Sequence, residues 1–300
     1  MGIKCMKKGL LFYKFMIILQ SCIFGFSFIV LKQLINHGYP TFTIIGCRFF
    51  VGALALLFSC VIAPKASPLA VRCDKKSIGF GVISGAIMLV AYFLQTYGAI
   101  YTSPANNAFC TALYVIFVPL IGLVYNRIEK KKNLFVLFAA TTSLIGVSMI
   151  SGFSFREMSS NIGDMLSICC GLFFAIHFII MEKFTPQVNI PIYTISQLFT
   201  VSIIAMNISF FMEQKLVRLI DLRSGLFSIF FLGIISTSLT YIIQSFAQAK
   251  ITANVVSVLS CSEPLFALVF SLALGYTAFS TELLLGSILI LVAMVMASFA

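Results

Sequence analysis

Residues 78–125 read IGFGVISGAIMLVAYFLQTYGAIYTSPANNAFCTALYVIFVPLIGLVY, 48 residues without one Asp, Glu, Lys or Arg. As a single helix they would extend roughly 72 Å, more than twice the ~30 Å hydrocarbon layer of a bilayer. The polar run Thr102-Ser103-Pro104-Ala105-Asn106-Asn107 supplies a turn, because Pro104 disfavours helix at the residue before it. The stretch therefore divides into two membrane-crossing helices joined end to end.

Outward from this pair the same block length recurs. Apolar blocks of a length that crosses hydrocarbon occupy Phe15–Leu31, Phe42–Ala63, Ile78–Ile100, Asn106–Tyr125, Leu134–Ile150, Met165–Met181, Ile190–Phe211, Leu226–Phe246, Thr252–Leu274 and Leu283–Phe299. These predict an all-α membrane protein of ten transmembrane helices. The composition agrees: 60% of residues are hydrophobic and 10% charged, with a mean hydropathy of +1.08. A soluble domain would carry about 25% charged residues.

The net charge of +11 is a matter of topology and calls for no nucleic acid. With a cytoplasmic N-terminus, fourteen bases fall inside (Lys4, Lys7, Lys8, Lys14, Lys65, Arg72, Lys75, Lys76, Arg127, Lys130, Lys131, Lys132, Lys183, Lys250). Five fall outside (Lys32, Arg156, Lys215, Arg218, Arg223), and Arg48 lies within a span. This is the positive-inside bias. In the second half alone the count is two inside and four outside, so its orientation follows from span parity. Lys4, Lys7 and Lys8 ahead of an apolar run resemble a signal peptide, but nine further spans and no small-residue cleavage site indicate a retained helix. Leu19-Gln20-Ser21-Cys22 is a poor lipoprotein acceptor because of Gln20. The nine cysteines show no paired metal spacing, so neither a metal site nor a cofactor is expected.

The polar interruption from Gly152 to Gly163 divides the spans five and five. Residues 1–151 and 163–300 are thus read as two five-helix repeats joined by a loop at 152–162. An odd number of helices per half makes equivalent helices cross in opposite directions, so the repeats are inverted. Tyr92-Phe93-Leu94-Gln95-Thr96-Tyr97 resembles Tyr241-Ile242-Ile243-Gln244-Ser245-Phe246 at a shift of 149, which also sets Thr111 against Ser260 and Tyr114 against Glu263.

Polar side chains inside spans tend to face the bundle interior or a water-filled cavity. Tyr241, Gln244, Ser245 and Gln248 form one helical stripe, and Tyr92, Gln95 and Thr96 begin the same stripe in the third span. With Asn107, Thr111, Tyr114, His177 and Ser260 they are the candidates for a substrate cavity, the alternative being hydrogen-bonded glue between helices. Glu263, the only acid well inside a span, precedes Pro264 and is the candidate for proton coupling, with helix capping as its alternative. Arg48, about 10 Å from the outer end of its span, is expected to snorkel outward or pair internally in a structural role.

The chain resembles the EamA-type members of the drug/metabolite transporter superfamily over essentially its whole length. The resemblance is carried by Gln95-Thr96-Tyr97-Gly98 with Tyr101-Thr102-Ser103, by Leu113-Tyr114-Val115-Ile116-Phe117-Val118-Pro119-Leu120, by Gly163-Asp164 with His177, and by Ser262-Glu263-Pro264-Leu265-Phe266-Ala267. It implies inverted five-helix repeats around a central cavity, both termini cytoplasmic, in the bacterial cytoplasmic (inner) membrane. There are two departures. A tryptophan common in the first span of each half is replaced by Phe24 and Phe174, and the usual Gly-Glu after the ninth span reads Gly275-Tyr276. Neither departure is expected to touch the cavity stripe.

Together these readings indicate a secondary transporter, in the exporting direction, of small organic metabolites or amino acids. Its partners are a small-molecule solute, the lipid bilayer and a coupling proton, and it acts as a monomer or homodimer. Aromatic walls of Phe24, Phe93, Tyr97, Tyr114, Tyr241 and Phe246 would suit an amphipathic or zwitterionic solute. A lipid-flipping or channel-like protein is the alternative. A membrane-embedded enzyme is disfavoured, because the chain has two histidines, no Gly-x-Ser-x-Gly and no paired acids within spans.

Overall fold

The computed structural model describes residues 2–64, 66–72, 74–102, 104–124, 130–151, 162–214, 222–275 and 279–298, all helix and connection, with no strand among them. Most of the 152–162 connection, with Arg156, and Tyr276 lie outside the described residues. The first helices are α1 Gly2–Asn36, α2 Thr41–Ile62 and α3 Lys75–Tyr101. They are followed by α4 Pro104–Ala112, α5 Tyr114–Val124 and α6 Lys130–Ser151. After the connection come α7 Ile162–Phe184 and α8 Ile190–Met212. A continuous rod then runs through α9 Leu222–Phe230, a π-helical segment Phe231–Leu239 and α10 Thr240–Gln248. The chain closes with α11 Ala253–Ser260, α12 Glu263–Ala273 and α13 Thr281–Ser298.

Among the described residues seven helices are long and apolar enough to cross a membrane, and three shorter apolar helices cover Asn107–Gly122, Phe135–Ile150 and Thr281–Met296. In hydrocarbon each backbone amide needs an internal partner, which a helix supplies. The outward faces carry Phe58, Phe210, Phe227, Leu285 and Val295, all exposed, as a lipid-facing perimeter requires. The quoted stretch turns where its polar run sits: α3 stops at Tyr101 and α4 starts at Pro104.

Two of the apolar blocks are interrupted within the membrane. The fourth breaks at Leu113, between α4 and α5, and the ninth at Cys261-Ser262, between α11 and α12. Pro264 in the first turn of α12 has no amide hydrogen to continue the ladder from α11. Glycines let neighbouring helices lie against the interruptions. A Cβ on Gly171 of α7 would stand 2.8 Å from the Thr111 carbonyl, and one on Gly25 of α1 would stand 2.8 Å from the Glu263 carbonyl.

The helices pack as a closed set of neighbours. α3 lies along α7 and α8, α2 along α8 and the π-helical segment, α6 along α13, and α1 along α12. Polar ties fix their ends. Glu213, just past α8, accepts from the amides of Phe42 (3.0 Å) and Thr43 (2.8 Å) and from the Thr43 hydroxyl (2.9 Å). It thereby supplies the anionic cap that Pro40 cannot give to α2. Glu182 of α7 does the same for the Ala253 amide at the start of α11. Asp74 caps α3 through the Ser77 amide and hydroxyl, which hold its carboxyl below the usual range.

Candidate substrate cavity

The elements leave one sizeable central cavity, about 510 Å³ including its mouth. From α1 it is lined by Gln20, Phe24, Ser27, Phe28 and Leu31, from α2 by Arg48, and from α3 by Tyr92 and Gln95. Thr111 and Tyr114 face it from either side of the α4–α5 break, and Phe174 and Phe178 from α7. Tyr241 and Gln244 of α10 and Glu263, the first residue of α12, complete the wall. Both helix interruptions thus border the cavity, each with the first residue of the following segment: Tyr114 in one and Glu263 in the other.

At the centre the Tyr241 hydroxyl donates to the Tyr92 hydroxyl at 2.9 Å. Phe174 meets Tyr92 edge to face at 5.4 Å between ring centres, and Phe24 meets Tyr241 at 6.1 Å. The two phenylalanines standing in for tryptophan are therefore cavity residues, contrary to the expectation that this departure leaves the site untouched. Aromatic quadrupoles favour such edge-on contacts.

One end of the cavity is tied by glutamines. Gln20 donates to Gln244 (2.9 Å), Gln244 to Gln248 (3.1 Å), and Gln248 to the carbonyl of Phe178 (2.9 Å). The chain joins α1, α10 and α7.

The sequence candidates separate into two groups. Tyr92, Gln95, Thr111, Tyr114, Tyr241, Gln244 and Glu263 line the cavity. Thr96, Asn107, His177, Ser245, Gln248 and Ser260 are buried outside its wall. Ser245 bonds the Thr194 hydroxyl and the Tyr241 carbonyl, and Asn107 donates to the Gln95 carbonyl and the Ser167 hydroxyl. His177 packs its ring 6.1 Å from that of Tyr241, and Ser260 ends α11. The stripe in α10 is thus part wall and part glue. It divides because Ser245 and Gln248 turn toward α8 and α7. Of the expected aromatic wall, Phe93, Tyr97 and Phe246 are not on the cavity. Phe93 stacks between Phe42 and Tyr97.

Arg48 does not snorkel. It is 3% exposed and lines the cavity. Its Nε donates to Thr237 (3.1 Å) and its Nη2 reaches Ser236 (3.4 Å), both in the π-helical segment. Its guanidinium lies 4.9 Å from the Tyr92 ring centre. Close approach of the two backbones presents it: a Cβ on Gly233 would come within 2.9 Å of the Arg48 carbonyl. Arg48, Gln20, Ser27, Phe28, Leu31 and Phe178 are wall residues absent from the sequence candidates. The first two carried a signal in being polar within a span; the rest look like ordinary core.

A multi-spanning helical bundle with a mixed polar and aromatic cavity at its centre defines an integral membrane transporter of small molecules. The model of the EamA-like transporter family matches residues 11–152 and again 161–299, and the chain belongs to that family. An uncharacterized transporter of Archaeoglobus fulgidus is 27% identical over 282 residues, covering 93% of this chain and 83% of its own. The uncharacterized transporter YoaV of Bacillus subtilis is 22% identical over 280 residues, covering 91% and 92% respectively. A solved crystal structure, of a protein given no further description, shares the fold with a TM-score of 0.75 at 12% identity, over 97% of this chain and 96% of that one.

Proposed function

We propose that this transporter is a secondary carrier exporting small organic metabolites or amino acids by alternating access. In this reading ten spans form two inverted five-helix repeats, residues 1–151 and 163–300 joined at 152–162, in a bacterial cytoplasmic membrane with both termini cytoplasmic. The observation that carries the reading is the cavity itself, bordered by matched elements of the two halves and tied shut at one end. The shift of 149 sets Tyr92 against Tyr241, which touch, and Gln95 against Gln244, which share the cavity. It also sets Tyr114 against Glu263, each heading the segment after a helix break. Paired interruptions at a central site are what a rocking pair of repeats requires.

Export runs by exposing the cavity first to one side and then to the other, and Glu263 exchanges a proton in the course of the cycle. The test is counterflow in proteoliposomes of purified protein against a panel of metabolites and amino acids. Saturable, exchangeable flux is the expected result, and flux that never saturates would identify a channel instead. Glu263→Gln is expected to abolish flux driven by a pH gradient while sparing solute exchange. Unchanged gradient dependence would remove the proton from the mechanism.

A further inference from the structure

Two opposite charges face the same cavity without meeting. Arg48 and Glu263 are the only charged residues of its described wall, and neither forms an ion pair among the described residues. A charge taken out of water is costly unless something compensates it. The partners of the Arg48 side chain are two neutral hydroxyls and the faces of two aromatic rings. These orient the guanidinium without neutralising it. Nε and Nη2 are engaged by Thr237 and Ser236, while Nη1 has no hydrogen-bond partner among the described residues. A planar donor fork held in this way is preorganised for a carboxylate or similar oxyanion. Glu263 faces the same space from the start of α12, with no hydrogen bond to its carboxylate among the described residues.

We propose that Arg48 binds the anionic group of the solute and Glu263 its cationic group, so that the cavity selects a dipolar solute over its singly charged relatives. The inference rests on the transport reading above. A simple anion meets Arg48 but is repelled by Glu263, and a simple amine meets the converse, whereas a solute with both groups leaves neither charge uncompensated. The phenyl rings of Phe24, Phe28 and Phe174 and the phenols of Tyr92 and Tyr241 offer its uncharged part an aromatic surface. The π-helical segment is the positioning element, because both hydroxyls that hold the guanidinium belong to it and π-helical turns recur at functional sites.

The experiment uses proteoliposomes of the full chain, loaded with each common amino acid in turn. Inhibition of counterflow is then compared for three shapes of one solute: leucine, 3-methylbutylamine and 4-methylpentanoate, with the matching trio for any other amino acid that exchanges better. The zwitterion is expected to compete at least roughly tenfold better than either relative. Arg48→Gln should lose roughly tenfold or more for the zwitterion and leave the amine unchanged. Glu263→Gln should weaken the zwitterion and spare the carboxylate. Thermal-shift titration in detergent with the same trio gives a second readout that does not need flux, and the wild-type ranking decides the matter should a variant fail to fold. An amine or carboxylate competing as well as the zwitterion overturns the proposal, as does an Arg48→Gln variant that weakens all three alike. Saturable exchange of other solutes with inert zwitterions removes the dipolar site alone. Absence of saturable exchange for every solute removes the transport reading itself.

Discussion

At the scale of single residues, the Tyr92–Tyr241 contact is the closest polar meeting of the two matched stripes, with both side chains buried. Its removal by Tyr241→Phe deletes one hydroxyl and leaves the Tyr92 hydroxyl on the cavity wall. A neutral hydrogen bond contributes about 1 kcal/mol net, so the variant should unfold a few degrees lower while keeping its cavity. Differential scanning fluorimetry in detergent checks this, and an unchanged melting temperature would show that water replaces the bond. Phe24→Trp and Phe174→Trp enlarge rings that line the wall, so they should raise the half-saturation concentration for bulky solutes more than for small ones. Counterflow with a graded solute series measures that difference. The tyrosines and glutamines were legible in the sequence because polar side chains within apolar blocks are costly and recur at one shift. Phe28, Leu31 and Phe178 were not, since an apolar residue on a cavity wall and one in the core satisfy the same local pattern. Gln20 was visible but read only against a lipoprotein signal, and Arg48 was seen as a cation near a span end. What placed Arg48 on the cavity is a long-range partner, 189 positions away in sequence.

At the scale of elements, block length gave the positions of the membrane-crossing segments but not their interruptions. An apolar run reads identically whether its helix is continuous, broken as at Leu113, or rewound into the π-helical segment Phe231–Leu239. Pro264 gave notice of the α11–α12 break; no residue type announced the other two. Caps show the same limit. Asp74 precedes its own helix and is a local signal, whereas Glu213 caps α2 from the far end of α8, 170 residues on. Glu213→Ala would leave two amides and a hydroxyl of α2 without their acceptor in a buried setting. Removing such a cap costs about 2 kcal/mol, and Glu213→Gln should recover part of it, because one amide oxygen still accepts. Thermal unfolding of both variants tests the ordering, and equal loss in the two would mean that the negative charge at the helix start outweighs the hydrogen bonds. Gly171→Ala is expected to be worse tolerated than alanine at Gly79, which has open space around it. The added methyl at Gly171 meets backbone beside Thr111, which can yield only by moving the break itself.

For the whole molecule, the glutamine chain sets how readily the closed end opens. Three hydrogen bonds tie α1, α10 and α7 together, and at about 1 kcal/mol each they sum to roughly 3 kcal/mol. That is the size of the free-energy gap expected between two populated states of a carrier. Gln248→Ala removes two of the three bonds and leaves Gln20 paired with Gln244. The expected loss of about 2 kcal/mol corresponds to roughly a thirtyfold shift in population toward the state open at this end. Spin labels on Tyr13 of α1 and Lys183 of α7, in a background with the native cysteines replaced, report the separation of the two helices by double electron–electron resonance. The wild-type distribution should hold one dominant distance, and Gln248→Ala should add a longer component. Gln244→Leu, which cuts the chain at its middle link, should lengthen it further. A distribution insensitive to both substitutions would mean that apolar packing among α1, α7 and α10 closes this end and that the glutamines only satisfy one another.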